Sequence, residues 1–355
     1  MKLTVLGSCG AWPEAGQACS GYLVEHDGFR LLLDLGYAVV PRLLARLSAG
    51  QVDAVFISHG HPDHCADLNP LLRARVLGGD PLPPLPVYAP PGALDAVLAL
   101  DRPGMLDDGY VLHELTIGDG LDIGPFYART RLLPHSRPNA GVRLTAAGQV
   151  LAYTGDTGPS AGVADLARGA DLLLAEASYA DQVPEDLADS LSSARLQGRQ
   201  AAAAGARRLL LTHLMPGTDP AAAQDAARHG YRGEVGVATA GLALDLGKPP
   251  GGAHEHRAPA SAVASVVLPT PASPPRNTSR PLPAAASLTN PSREARKLAR
   301  SISTSVIKAL VSGGAKVGHD PGPRRDRQPG EFSRGPVARP PPGAADSPST
   351  APASR

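Results

Sequence analysis

The chain is 355 residues long, 43% hydrophobic but only 4% aromatic, with a formal net charge of +1 at pH 7. That near-neutrality averages two unlike parts: residues 1–250 hold 19 Lys+Arg against 27 Asp+Glu (net −8), and residues 251–355 hold 15 against 6 (net +9). Three scattered cysteines exclude a disulfide framework, and no apolar run approaches the ~20 residues of a membrane span. The opening MKLTVLGSCG reads as a strand rather than a secretory leader, so a reduced, cytoplasmic protein with no membrane partner is expected.

In chain order the first part alternates short apolar runs with turn formers. KLTVLG is a predicted strand, and GYLVEH and FRLLLDL are two more, joined by a hairpin at EHDG. VVPRLLARLSAG has apolar residues at helical spacing and stops at glycine. VDAVFIS is a strand that runs into SHGHPDH, followed by a predicted helix in ADLNPLLRARVLGG and a strand in LPVYAP. HELTIGDGLDIGPFYARTRLLPH reads as strands broken by a hairpin turn at GDGL, and AGVRLTAAGQVLAYTGDTG as a hairpin turning at AAGQ. ADLLLAEAS, RRLLLTHL and EVGVATAGLALDL complete the strands, with SSARLQGRQAAAAGARR as an alanine-rich helix opening at a serine cap. Hairpins in front and strand–helix units behind predict one mixed α/β domain over residues 1–247, helices on its outer faces.

The remaining residues, 248–355, read as a tail. Residues 251–355 carry 17 prolines and one aromatic, Phe332, too little apolar surface to offset the entropy of ordering, so disorder is expected. SREARKLARSISTSVIKALVSGG (292–314) is the one stretch there with helical character.

The chemistry concentrates in ISHGHPDHCADL, residues 57–68. His59 and His61 are two apart and share a face in extended backbone; Asp63 and His64 come a turn later. Imidazole and carboxylate are the ligands of zinc and similar divalent ions, but one loop cannot close two metal sites. Further candidates each end an apolar run: His135 in YARTRLLPH, Asp156 in VLAYTGD and His213 in RRLLLTH. The other six of the 11 histidines have no such placement. Cys65 follows the motif but reads as a small buried thiol.

SHGHPDH with the later PHS, TGDT and LTHL resembles the metallo-β-lactamase fold superfamily, in its ribonuclease Z-like and cyclic nucleotide phosphodiesterase-like branch, over residues 1–247. The resemblance implies a four-layer αββα sandwich with two divalent metal ions at one edge. His59, His61 and His135 would hold one ion, Asp63, His64 and His213 the other, and Asp156 would bridge them. Asp34 in LLLDLG would support the site from behind. Zinc is the expected metal, with manganese or iron equally compatible with such ligands. Asp63 is the expected catalytic residue beside a metal-bridging hydroxide, a nucleophile near neutral pH because metal binding lowers the pKa of water toward ~7. Members of the family often form homodimers.

A small phosphodiester, such as a cyclic nucleotide, is the expected substrate. Only 20 residues separate His135 from Asp156, where RNA-processing members often carry a long arm, and a net charge of −8 over residues 1–250 speaks against a large RNA partner. One departure stands out. In EDLADSLSSARLQGR the family's phosphate-contacting histidine is replaced by Ser190, which removes a general acid worth about 10²–10⁴-fold. Two rival readings follow: a lactonase or thioesterase on the same fold, or a metal-binding module without catalysis.

Overall fold

The computed structural model describes residues 1–79 and 81–247; the expected disordered tail, 248–355, lies outside the described residues. Seven strands form each of two sheets. The first sheet takes β1 (Lys2–Gly7), β2 (Gly21–His26), β3 (Phe29–Leu35), β4 (Ala54–Phe56), β5 (Leu85–Ala89), β6 (Tyr110–Glu114) and, from the far end of the domain, β14 (Ala243–Asp245), in the order β14-β1-β2-β3-β4-β5-β6. The second takes β7 (Gly120–Ile123), β8 (Phe126–Leu133), β9 (Asn139–Ala146), β10 (Gln149–Tyr153), β11 (Leu172–Glu176), β12 (Arg208–Thr212) and β13 (Glu234–Val237), in the order β13-β12-β11-β10-β9-β8-β7.

The hairpins of the sequence appear at two of three places. Asp27-Gly28 joins β2 to β3 and Ala147-Gly148 joins β9 to β10, all four residues at positive φ, the geometry of tight hairpin turns. GDGL is different. β6 pairs with β5 and β7 with β8, so this glycine-rich break is the crossover from one sheet to the other rather than a hairpin. The periodicity could not reveal this, because both flanking runs are strands and only their partners differ.

The apolar runs divide their residues between two faces. Leu31 and Leu33 of β3 point into the space between the sheets, with Leu3, Tyr22, Phe56, Phe126, Val142, Leu144 and Leu174. Leu32 and Leu35 point outward, into one cluster with Val39 and Leu43 of α1 (Val39–Leu44), Leu68, Leu71 and Leu72 of α3 (Leu68–Leu77) and Val97 of α4 (Asp95–Leu98). Strands covered on both faces need unbroken apolar runs, which is why LLL recurs; burying one such leucine is worth about 1.5–3 kcal/mol. On the opposite side α5 (Ala161–Leu166), α6 (Ala194–Ala204) and α7 (Pro220–Arg228) cover the second sheet through Val163, Leu166, Ala201 and Ala227. The Ser193 hydroxyl caps α6, accepting from Leu196 N–H at 3.3 Å. The architecture is the expected αββα sandwich. No helix among the described residues is long and apolar enough to cross a membrane.

Strands β3, β4, β8, β10, β11 and β12 deliver their C-terminal ends to one edge, where Asp34, the 58–64 loop, His135, Asp156, Glu176 and His213 gather.

Candidate metal centre

The loop after β4 turns into a single helical turn, α2 (Pro62–Cys65), with His61 at its N-cap and Pro62 at N1. Proline is suited there because the first helical N–H has no partner to lose. The turn carries Asp63 and His64 inward and sets them beside His59. Gly36 makes room: a Cβ on it would lie 1.8 Å from the Asp63 carbonyl oxygen. Gly155, at φ 59°, turns the chain so that Asp156 enters the site, and a Cβ there would meet Asn139 Oδ1 at 2.3 Å. Asp34 and His213 hold φ of 57° and 59°, strained values for side-chain-bearing residues that cluster where geometry serves function.

All seven residues singled out in the sequence meet at this edge, in two groups that share Asp156: His59, His61, His135 and Asp156, and Asp63, His64, Asp156 and His213. In each group one nitrogen or oxygen per residue lies within 4.8 Å of all the others. The first is half open, with His61 and His135 partly exposed, and the second is buried throughout.

The hydrogen bonds on the outer sides of the rings fix which atom faces in. His64 Nδ1 lies 2.7 Å from Asp34 Oδ2, a carboxylate that can only accept, so Nδ1 carries the proton and Nε2 faces the centre. His135 Nδ1 donates to the Ser190 carbonyl at 2.7 Å, again leaving Nε2 inward. The Ser58 hydroxyl donates to Asp34 Oδ2 at 2.8 Å and therefore accepts from His59 Nδ1 at 3.1 Å. Three inner nitrogens, His59 Nε2, His61 Nδ1 and His135 Nε2, consequently converge, the first and third each 3.0 Å from the second. Lone pairs facing one another at that distance repel unless a cation sits among them. The edge of a tetrahedron built on Zn–N bonds of about 2.0–2.1 Å is about 3.3 Å, close to what these rings present.

The second group has the same character. Asp156 Oδ1 and His64 Nε2 are 3.2 Å apart, yet both are buried without a well-formed hydrogen bond. Asp63 Oδ2 accepts from Ala11 N–H at 2.9 Å and lies 3.1 Å from His213 Nε2. The carboxylates demand positive charge: burial opposes a charge on His64, but Asp156 and Asp34 outweigh it and raise its pKa well above the ordinary histidine value. His213 is raised in the same way against its burial, by Asp156 and Asp63. Asp63 and Asp156 are driven down despite burial, through His213 and His64. His59 and His61 are lowered, first by burial and then by neighbouring imidazoles, and so stay neutral ligands. The donor set therefore fits divalent cations.

Asp34 sits behind the buried group and accepts four bonds, from Ser58 N–H (2.7 Å), Ser58 Oγ (2.8 Å), His64 (2.7 Å) and Tyr153 Oη (2.6 Å). Cys65 stays apart from both groups; its Sγ donates to the His61 carbonyl and burial pushes its pKa up to about 12. Sequence reasoning missed Glu176, buried at the end of β11, which accepts from Ser178 N–H at 2.8 Å and Ser192 N–H at 2.9 Å. A charge closing the run LLLAE was the available clue, the same one that marked Asp156 and His213. Tyr153 and Ser58 gave no clue, because a tyrosine or serine among strands is ordinary.

The family is identified by comparison as well as by geometry. The profile described as "Beta-lactamase superfamily domain" matches residues 29–214. The chain belongs to the metallo-β-lactamase superfamily and is a metal-dependent hydrolase. It is 32% identical over 254 residues to the probable metallo-hydrolase YhfI of Bacillus subtilis, covering 68% of this chain and 98% of that one; the crystal structure of YhfI superposes with a TM-score of 0.63 over the same shares. It is also 30% identical over 251 residues to ribonuclease Z of Mycolicibacterium gilvum, covering 63% of this chain and 88% of that one. The short form of human tRNase Z shares the fold, with a TM-score of 0.57 at 24% identity, over 69% of this chain and 99% of that one.

Proposed function

We propose that the protein is a dinuclear phosphodiesterase acting on a small nucleotide such as a cyclic nucleotide. The observation that carries this reading is the convergence of seven donors on two adjacent points with Asp156 common to both. His59, His61 and His135 would hold one divalent ion, Asp63, His64 and His213 the other, with zinc first among the candidates and manganese or iron next. Two such ions supply Lewis acidity toward a phosphoryl group and a water of lowered pKa. Asp63, held by Ala11 N–H and by His213, orients the attacking water and takes its proton.

The substrate approaches beside His61, where a cleft of about 440 Å³ is lined by Gly60, Pro90, Pro91, Ala93, Asp95 and Arg137, a size suited to a small ligand. Arg137 offers a guanidinium for a phosphate oxygen. The interval between His135 and Asp156 is filled by the β9–β10 hairpin, which favours a small phosphodiester over an RNA. The test is a panel of cyclic nucleotide, bis-p-nitrophenyl phosphate and a lactone, run on protein of measured metal content. Turnover of the two phosphodiesters is expected; metal-loaded protein that turns over only the lactone would overturn the phosphodiesterase reading and favour a lactonase or thioesterase.

A non-catalytic metal-binding module is favoured by one specific feature. The Ser190 hydroxyl donates to the Leu187 carbonyl at 3.2 Å, so it is turned into its own loop and offers the leaving group nothing. Ser190→His separates the readings: a gain of about 10²-fold in turnover would mark the natural chain as impaired, and no gain would mean that the substrate leaves without that proton.

A further inference from the structure

A second cleft, of about 540 Å³, opens on the outer face of the second sheet and shares no lining residue with the metal centre or the cleft beside it. Four guanidiniums line it, from Arg129, Arg131, Arg143 and Arg168, against one lining carboxylate, Asp165. The surroundings make this unusual: residues 1–247 hold 18 Lys+Arg against 27 Asp+Glu, so chance would favour an acidic cleft.

Its construction runs against intrinsic stability. Arg129 and Arg143 are direct partners on β8 and β9, and like charges placed opposite one another destabilise a strand pair. On its other side Arg129 faces Gly120 of β7, which supplies no counter-charge, and among the described residues its guanidinium has no partner. Arg143 is fixed in place, donating to the carbonyls of Leu166 and Arg168 at 2.9 Å each. Asp165 is shared between Arg131 at 3.3 Å and Arg168 at 2.6 Å. The lining thus keeps a surplus of three positive charges, concentrated on forked donors whose geometry suits phosphate oxygens.

We propose that this cleft binds the phosphate chain of a polyphosphate anion, separately from the metal centre. Ile117 and Leu132 flank the arginines, and Leu132 is 60% exposed, so an apolar surface is at hand for the nucleoside of a nucleoside triphosphate; inorganic triphosphate would use the arginines alone.

The experiment is calorimetric titration of the full-length protein with inorganic triphosphate and, separately, with adenosine triphosphate. The variants are Arg129→Gln/Arg131→Gln, which leaves Arg143 to hold its carbonyls, and Asp156→Ala, which disables the metal centre. Removing two charged contacts should weaken binding of both anions about tenfold or more, while Asp156→Ala leaves it within about twofold. Relief of the Arg129–Arg143 repulsion should keep the double variant at least as heat-stable as the natural chain, so a fold defect is separable by its melting temperature. Tighter binding of the nucleoside triphosphate assigns the apolar flank to the nucleoside, and equal binding assigns the site to the phosphate chain alone; either supports the proposal. It is overturned if neither anion binds. It is equally overturned if binding survives the double arginine change, which would place the anion on the basic residues 251–355, or vanishes in Asp156→Ala, which would place it on the metal centre.

Discussion

His61 is partly exposed and among the described residues its outer nitrogen reaches only the Ser136 hydroxyl, at 3.5 Å, whereas His64 is fully enclosed and held by an aspartate with four bonds of its own. The two halves of the centre differ in this way throughout. The group of His59, His61, His135 and Asp156 carries the two partly exposed donors, His61 and His135. The group of Asp63, His64, Asp156 and His213 lies inside the sandwich, with Ala11 N–H and Ser178 Oγ as further supports. The difference teaches that one half belongs to the structure of the domain and the other to its exchange with solvent.

The largest effect should come from the residue common to both. Asp156→Ala removes a carboxylate from each group, and metal affinity should fall by more than the 10–100-fold that loss of a supporting partner costs. Elemental analysis would show it, with hydrolytic turnover lost in parallel. Retention of two equivalents of metal would break the idea that the halves share a ligand.

Next comes a paired experiment that breaks the comparison itself. His64→Ala leaves Asp34 and Asp156 buried without their cation, and removing one partner of a buried charge pair costs about 3–5 kcal/mol. His61→Ala opens a surface that is already wet, and a cost within about 1 kcal/mol is expected. Both should lower metal content, but only the first should lower the midpoint of urea unfolding substantially. Equal losses would mean that burial does not distinguish the halves.

Asp34→Ala sharpens the same contrast without touching a donor. His64 would lose the acceptor that fixes its tautomer, and affinity for the equivalent it holds should fall about 10–100-fold, with a smaller loss for the other, whose His59 leans on Asp34 only through Ser58. A competition titration against a chelator resolves the two equivalents.

Much of this was legible before any coordinates. HxHxDH, His135, Asp156 and His213 could be found because each follows an apolar run that ends at a turn, and strand ends are where a sandwich gathers polar groups. The outer supports were mostly hidden. Ser58, Tyr153 and the Ser190 carbonyl act through a hydrogen bond whose partner lies 24, 119 or 55 residues away, and a backbone carbonyl has no residue type by which to be noticed. The GDGL break failed for a related reason: local pattern marks a strand, while the sheet it joins is decided by distant pairing.

The last predicted effect concerns Glu176, whose bonds reach both halves. It accepts from Ser178, whose hydroxyl lies 3.1 Å from His213, and from Ser192, in the loop whose Ser190 carbonyl holds His135. Burial, and then the charge of Asp156, push its pKa up to about 7, against about 4.3 for a glutamate in an unfolded chain. Between those values the folded protein binds more protons than the unfolded one, so Glu176 makes stability fall as pH rises through that window and level off above about 7. Glu176→Gln carries no titrating proton and should lack this slope. Urea unfolding of metal-free protein, natural and variant, at pH 5, 6 and 7 measures it: the difference in stability should move in favour of the variant with each step. A difference that stays constant with pH would mean that Glu176 is already ionised in the folded chain, and that its bonds to the two serines outweigh the burial that opposes its charge.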